Sequence, residues 1–214
     1  MSALTLVIGN KNYSSWSMRP WILMKAKSIH FEELMVPLKR ESGESRERIL
    51  PYSPTGKVPA LMDGQVKVWE SLAICEYLAE KFPEKELWPE DPVARALARS
   101  VCMEMHAGFT HLRSQMPMDC RSRFAKQEIP PAVEADISRV LDIWNDCRTR
   151  YGQGGDFLFG EFSIVDAMYA PVTRRFISYH VPLPDSARRY VDVIDALPAM
   201  RSWLAAAAKE PDFA

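Results

Sequence analysis

The chain is expected to fold in two parts: a small α/β layer over residues 1–83 and an all-helical domain over residues 93–214, with a linker at 84–92. Three observations point there. Short aliphatic, β-branched runs alternate with helix-length stretches through the first part. Val58-Pro59 and the turn pair Asp63-Gly64 frame a hairpin. Beyond the linker, strand signals give way to apolar residues spaced three and four apart.

Taken in order, residues 4–8 read as a buried strand, aliphatic and uncharged, which Gly9, Asn10 and Asn12 then break. Ser17 is a candidate N-cap for a helix to about residue 29, with Pro20 in its first turn. Residues 31–38 suggest a second strand, and the charged stretch 39–49 a loop with at most a short helix, closed by Pro51. Residues 58–62 form a strand led by a proline, which cannot donate in a ladder. Val66, Val68 and Trp69 return from the turn, and Glu70-Ser71 opens a helix over 72–81 that Pro83 ends. The linker holds two prolines and charges around Leu87-Trp88. After it come one long helix over 93–115, an irregular stretch to 131, and a helix over 132–150. Ser163 and Asp166 have the spacing of a capping box, opening a helix to about residue 178 with Pro171 inside it. Two short helices, 187–196 and 199–209, flank Pro198.

Composition narrows the function classes. Hydrophobic residues make up 47% of the 214, charged residues 26%, and the net charge is −1, so there is no general pull towards nucleic acid or anionic membrane. Cys75, Cys102, Cys120 and Cys147 form no CxxC pair and have no histidine at metal spacing, which reads as reduced thiols without a metal site. No secretory signal and no apolar segment near ~18 residues is visible, so a cytoplasmic location is expected.

The stretch Tyr13-Ser14-Ser15-Trp16-Ser17-Met18-Arg19-Pro20 gathers hydroxyls at a strand-to-helix junction, beside free amides and the positive end of a helix dipole. Such a place holds an anion, and if the anion is a thiolate it lowers the thiol's pKa. Plain helix capping uses the same residues. His106, Phe109 and Arg113 share a face if the long helix is continuous. Arg174-Arg175 reads as a surface pair, and Trp69 and Trp88 as exposed aromatics.

With these elements in this order, the chain resembles the cytosolic glutathione S-transferase family. Val58-Pro59 is similar to the family's Val-Pro, whose cis proline exposes the Val backbone to glutathione. Glu70-Ser71 is similar to its Glu/Gln-Ser pair for the γ-glutamyl end, and Ser163-x-x-Asp166 to its capping box. Ser14-Ser15-x-Ser17-x-Arg19 resembles the serine-type site of the zeta class, with Trp16 where that class has Cys. The resemblance implies a thioredoxin-like N-terminal domain with a mixed four-stranded sheet and a helical domain that binds the electrophile. It implies glutathione as co-substrate, no metal, detoxification chemistry and a homodimer. It assigns the sulfur to Ser14 or Ser15. Ser17, Lys39, Lys57, Val58, Pro59, Glu70 and Ser71 are then candidates for glutathione, and Tyr13, Trp16, His106, Phe109 and Arg113 for the second substrate. Two alternatives stand beside the transferase reading: a glutathione-dependent isomerase of the maleylacetoacetate type, and a non-catalytic glutathione-binding scaffold.

Overall fold

The computed structural model describes residues 4–38 and 43–211. Four strands form one mixed sheet in the order β2-β1-β3-β4, built from β1 (Thr5–Ile8), β2 (Glu32–Met35), β3 (Ala60–Asp63) and β4 (Val66–Trp69). β1 runs parallel to β2 and antiparallel to β3, and the β3-β4 hairpin turns at Gly64, whose φ of 59° suits a residue without Cβ. Both faces of β1 are covered, which explains its lack of polar alternation. Leu6 and Ile8 face the main core with α1 (Ser15–Ala26) and α3 (Ser71–Lys81). Val7 faces a smaller cluster with Val36, Ala60 and Ile49 of α2 (Glu44–Ile49). Asp63 ties the hairpin to α3, accepting from Tyr77 at 2.6 Å and pairing with Lys81 at 2.5 Å.

Several boundaries differ from expectation for identifiable reasons. α1 starts at Ser15, with Ser14 at the cap position, instead of being capped by Ser17. The Ser17 hydroxyl is turned inward, where it accepts from the Gly9 amide (3.1 Å) and the Ser14 hydroxyl (2.7 Å). The helix stops at Ala26 because Ser28 adopts φ 53° and Ile29 N–H closes back on the Met24 carbonyl at 2.8 Å, a Schellman-type ending. β3 begins only after Pro59, and the Val58-Pro59 bond is cis.

Past a 3-10 turn at Pro83–Lys85 the chain is helical: α4 (Pro92–Ala107), α5 (Thr110–Gln115), α6 (Pro131–Tyr151), α7 (Ile164–Ser178), α8 (Asp185–Ala196) and α9 (Pro198–Ala207). The long helix expected over 93–115 is two helices. Gly108 leaves the helical region and Phe109 takes φ 55°, sinking its ring into the core, while Arg113 Nη1 donates to the stranded His106 carbonyl at 3.0 Å. α7 runs through the centre, every residue but Ile177 buried, and the capping box at its start is complete. Asp166 there accepts from Ser163 N–H (2.9 Å), Leu158 N–H (3.1 Å) and Tyr190 O–H (3.0 Å). Trp144 of α6 packs its ring within 6.1 Å, centre to centre, of Tyr169, Phe176 and Tyr190. The linker is anchored: Trp88, expected at the surface, is buried and donates to Glu76 at 3.0 Å, whereas Trp69 is exposed. Among the described residues no helix is long and apolar enough to cross a membrane.

Candidate functional site

Two helix N-termini meet at one cleft. Trp16, in the first turn of α1, and Glu70, the cap residue of α3, line a cleft of about 160 Å3 together with Thr55, Lys57, Val58 and Pro59. Glu70 is held at φ 69°, an unfavourable conformation for a residue with a Cβ, and strain of this kind gathers at binding sites. Ser71 follows as the first residue of α3. Its hydroxyl is fully buried and has no hydrogen-bond partner. A buried hydroxyl left unpaired costs roughly 1–3 kcal/mol, so this one stands ready for a ligand's polar group.

The serines divide by what they touch. Ser17 is fully buried and engaged with Gly9 and Ser14, a loop-closing role. Ser14 offers its proton to Ser17, while Ser15 Oγ accepts from Arg175 Nη2 at 3.3 Å. Tyr13 beside them is exposed. Lys57 is exposed at the cleft, and Lys39 lies outside the described residues.

Above Trp16 the structure gathers cations. The Arg19 guanidinium stacks 4.1 Å from the centre of the Trp16 ring, Arg113 lies 5.2 Å from it, and the His106 ring meets its edge at 5.2 Å. Arg174 and Arg175 are not a surface pair; both are buried, because α7 is central and its polar side chains must find partners inside. Arg174 pairs with Asp195, and Arg175 donates to the carbonyls of Met116 (2.9 Å) and Pro171 (3.0 Å) as well as to Ser15. Among the described residues no ion pair joins Arg19, Arg113 or Arg175 to a carboxylate. Nε and Nη1 of Arg19 have no partner although the side chain is 1% exposed. Burial first, then the charges of Arg175 and Arg113, push the Arg19 pKa down to about 9. Burial and Arg113 likewise bring Arg175 down to about 10.

His106 Nε2 is 3.5 Å from Glu70 Oε2. Burial, and then Arg19, hold the imidazole below its ordinary range, with Glu70 opposing them. At neutral pH it is therefore uncharged, which leaves the Glu70 carboxylate free to meet a ligand cation. Phe109 is the expected pocket residue that the structure puts elsewhere: the break after α4 sends its ring into the core. The sequence leaves open whether Arg19 faces a partner subunit or the ligand; the structure buries it against Trp16, a residue of the cleft. A larger surface hollow of about 590 Å3, beside Leu4, Phe31 and Phe82, is lined by Glu32, Lys81, Glu84 and Lys85 and has no arginine among its described residues.

Family models confirm what this geometry suggests. Residues 13–81 match the glutathione S-transferase N-terminal domain and residues 130–206 its C-terminal domain. A probable maleylacetoacetate isomerase of Caenorhabditis elegans is 30% identical over 73% of this chain and 74% of its own. The chain belongs to the glutathione S-transferase family. Glutathione S-transferase Z2 of Arabidopsis thaliana is a further relative of this transferase, 27% identical over 94% of the chain and 92% of that protein. A glutathione transferase homologue from Burkholderia gl BGR1, solved with bound glutathione, shares the fold with a TM-score of 0.74, at 24% identity over 98% of this chain and all of that one. The thioredoxin-like sheet followed by a helical domain is thus the family's architecture. Among the described residues no group of three or more His, Cys, Asp or Glu side chains is placed to hold a metal.

Proposed function

We propose that this transferase binds glutathione along the cleft and joins its sulfur to an electrophilic carbon. The observation that carries the reading is the cleft itself, where Val58-Pro59 and the cap of α3 face the first turn of α1. The backbone of Val58, just ahead of β3, docks the cysteinyl part as an added strand would be docked. The unpaired Ser71 hydroxyl and the start of α3 take the γ-glutamyl carboxylate, and Glu70 takes the adjacent ammonium. Lys57 at the rim is suited to the glycine carboxylate.

A hydroxyl at the start of α1, Ser14 first and Ser15 second, donates to the sulfur; for Ser14 this means turning its proton from Ser17 Oγ to the sulfur when glutathione binds. Hydrogen bonding and the helix end favour the thiolate over a thiol whose free pKa is ~8.5. The thiol proton leaves to solvent, the sulfur lone pair forms the S–C bond, and the leaving group departs with its electron pair. The helical part, residues 93–214, supplies the other wall through His106 and Arg113, with Tyr13 and Trp16 at its edge. We place the glutathione-binding domain at 1–83, the linker at 84–92, and a homodimer as the assembly.

One observation favours a second reading. Three guanidinium groups without a carboxylate partner suit an acidic co-substrate better than a neutral one, as the maleylacetoacetate isomerase type requires. In that case the thiolate adds to an unsaturated diacid and is expelled again, so that glutathione is regenerated. The test is a thiolate absorbance titration of bound glutathione with wild type and Ser14→Ala, beside a panel of halo-aromatic and unsaturated diacid substrates. The serine reading expects a bound-thiol pKa well below ~8.5 in wild type, a rise of one unit or more in the variant, and a fall in kcat/KM of about a hundredfold. An unshifted wild-type thiol would leave only a glutathione-binding scaffold.

A further inference from the structure

The loop that carries Ser14 is held by the far end of the chain. Glu210, beyond α9, turns both carboxylate oxygens onto adjacent backbone amides of that loop: Lys11 N–H at 2.6 Å and Asn12 N–H at 3.0 Å. Trp203 of α9 donates its indole N–H to the Lys11 carbonyl at 2.8 Å. Asn12 Oδ1 accepts from the amides of Cys120 and Arg121, at 2.9 and 3.0 Å. Arg121 then reaches back to the chain end, donating to the carbonyls of Ala207 (2.8 Å) and Glu210. The result is a closed circuit of loop, irregular stretch and C-terminal turn. Lys11 and Asn12, polar residues in a short loop, are 8% and 1% exposed because this circuit covers them.

From the other side the same loop is fastened to α1. Ser14 N–H donates to the Asn10 carbonyl at 2.8 Å, and Gly9 N–H and Ser14 O–H both go to Ser17 Oγ. Ser14 is therefore gripped between an inner hydroxyl and an outer carboxylate, the latter two residues away along the backbone. Two neighbouring amides aimed at one point suit a bidentate acceptor, and a carboxylate there makes charge-assisted bonds that a carbonyl would not.

We propose that Glu210 is a positioning residue for thiolate stabilisation: its carboxylate fixes the backbone of Lys11 and Asn12 and thereby sets where the Ser14 hydroxyl points. This rests on the reading of Ser14 as the group that faces the sulfur. Glu210 touches neither substrate, and Val58, Glu70 and Ser71 hold the tripeptide without it. Its removal therefore acts on the thiolate and not on glutathione affinity.

The experiment compares Glu210→Ala and Glu210→Gln with wild type, Ser14→Ala and Asp91→Ala in the full chain. Asp91 caps α4 by accepting from Ala94 N–H at 2.7 Å, away from the cleft, and serves as a destabilised control. Four quantities are read: amide exchange at Lys11 and Asn12, the bound-thiol pKa, kcat and KM for glutathione, and Tm. Glu210→Ala is expected to speed exchange at both amides, raise the bound-thiol pKa towards ~8.5, and lower kcat about tenfold with KM within twofold of wild type. Glu210→Gln, whose amide oxygen can accept one of the two N–H groups, recovers part of each change. Asp91→Ala lowers Tm with the bound-thiol pKa of wild type. The proposal is overturned if Glu210→Ala keeps the wild-type thiol pKa and kcat while Ser14→Ala loses both, or if Asp91→Ala shifts the thiol equally. Should Ser14→Ala itself leave the thiol pKa untouched, the serine reading and this proposal fall together.

Discussion

Replacing Arg19 by methionine is expected to make the unliganded protein more resistant to heat while weakening turnover of acidic substrates. The guanidinium is buried, lacks hydrogen-bond partners at Nε and Nη1, and sits among like charges, so its pKa falls from an ordinary 12.5 to about 9. At about 1.4 kcal/mol per pKa unit, that fall represents roughly 5 kcal/mol of folding stability withheld by the charge. The sign follows from proton binding. The unfolded chain keeps this proton up to about 12.5 and the folded one only to about 9, so the penalty is complete and constant below pH 8 and eases only in between. Losing the stack on Trp16 takes back about 2 kcal/mol. The remaining ~3 kcal/mol is an upper bound, about 6–12 °C in Tm for a chain of this size. Methionine fills a similar volume, and exchanging a buried charge for an apolar side chain is commonly neutral or stabilising. Calorimetric scans of both proteins at pH 6, 7 and 8 test this: a gain that is flat across the three is the expected result. A Tm lower than wild type by more than about 2 °C would refute it, since Arg19 would then have to be paired.

Two further predictions concern the cleft and the central helix. Ser71→Ala is expected to raise KM for glutathione by about ten- to a hundredfold and leave the bound-thiol pKa unchanged, because one hydrogen bond to a charged group is worth roughly 1.5–3 kcal/mol; steady-state kinetics with the thiolate titration measure both. Burial lifts the Asp166 carboxyl to about 6 against the hydrogen bonds that lower it, so the folded state holds this proton more tightly than the unfolded chain. Its contribution is therefore complete below about pH 4 and is lost as pH rises through 6, and Asp166→Asn is expected to flatten that part of the Tm–pH curve.

The order of elements could be read from the chain because each strand and helix announces itself locally: the aliphatic run before Gly9, the Asp63-Gly64 turn, the Ser163–Asp166 box. Val58, Pro59, Glu70 and Trp16 were legible as a set because short motifs at fixed spacing carry them, and they do line one cleft. What escaped depends on contacts that no local pattern encodes. Apolar spacing continues through Gly108 and Phe109, so the break there leaves no trace in periodicity. Arg174 and Arg175 look solvated until α7 is known to be central, and what Arg19 faces stays open until α7 is seen to cover α1. Glu210 meets Lys11 across 199 positions, beyond the reach of any window.

The joint between α4 and α5 separates two duties that an unbroken rod would have fused. Below it, α4 is bolted to the centre, where the Tyr169 hydroxyl donates to the Val101 carbonyl at 3.1 Å. Above it, α5 takes its bearing from α6, through the Asp136 carboxylate on the Leu112 amide at 2.9 Å. Substitutions around Asp136 can thus re-aim Arg113 over the indole while the scaffold beneath stays put, so that the two halves of the broken helix are free to vary separately.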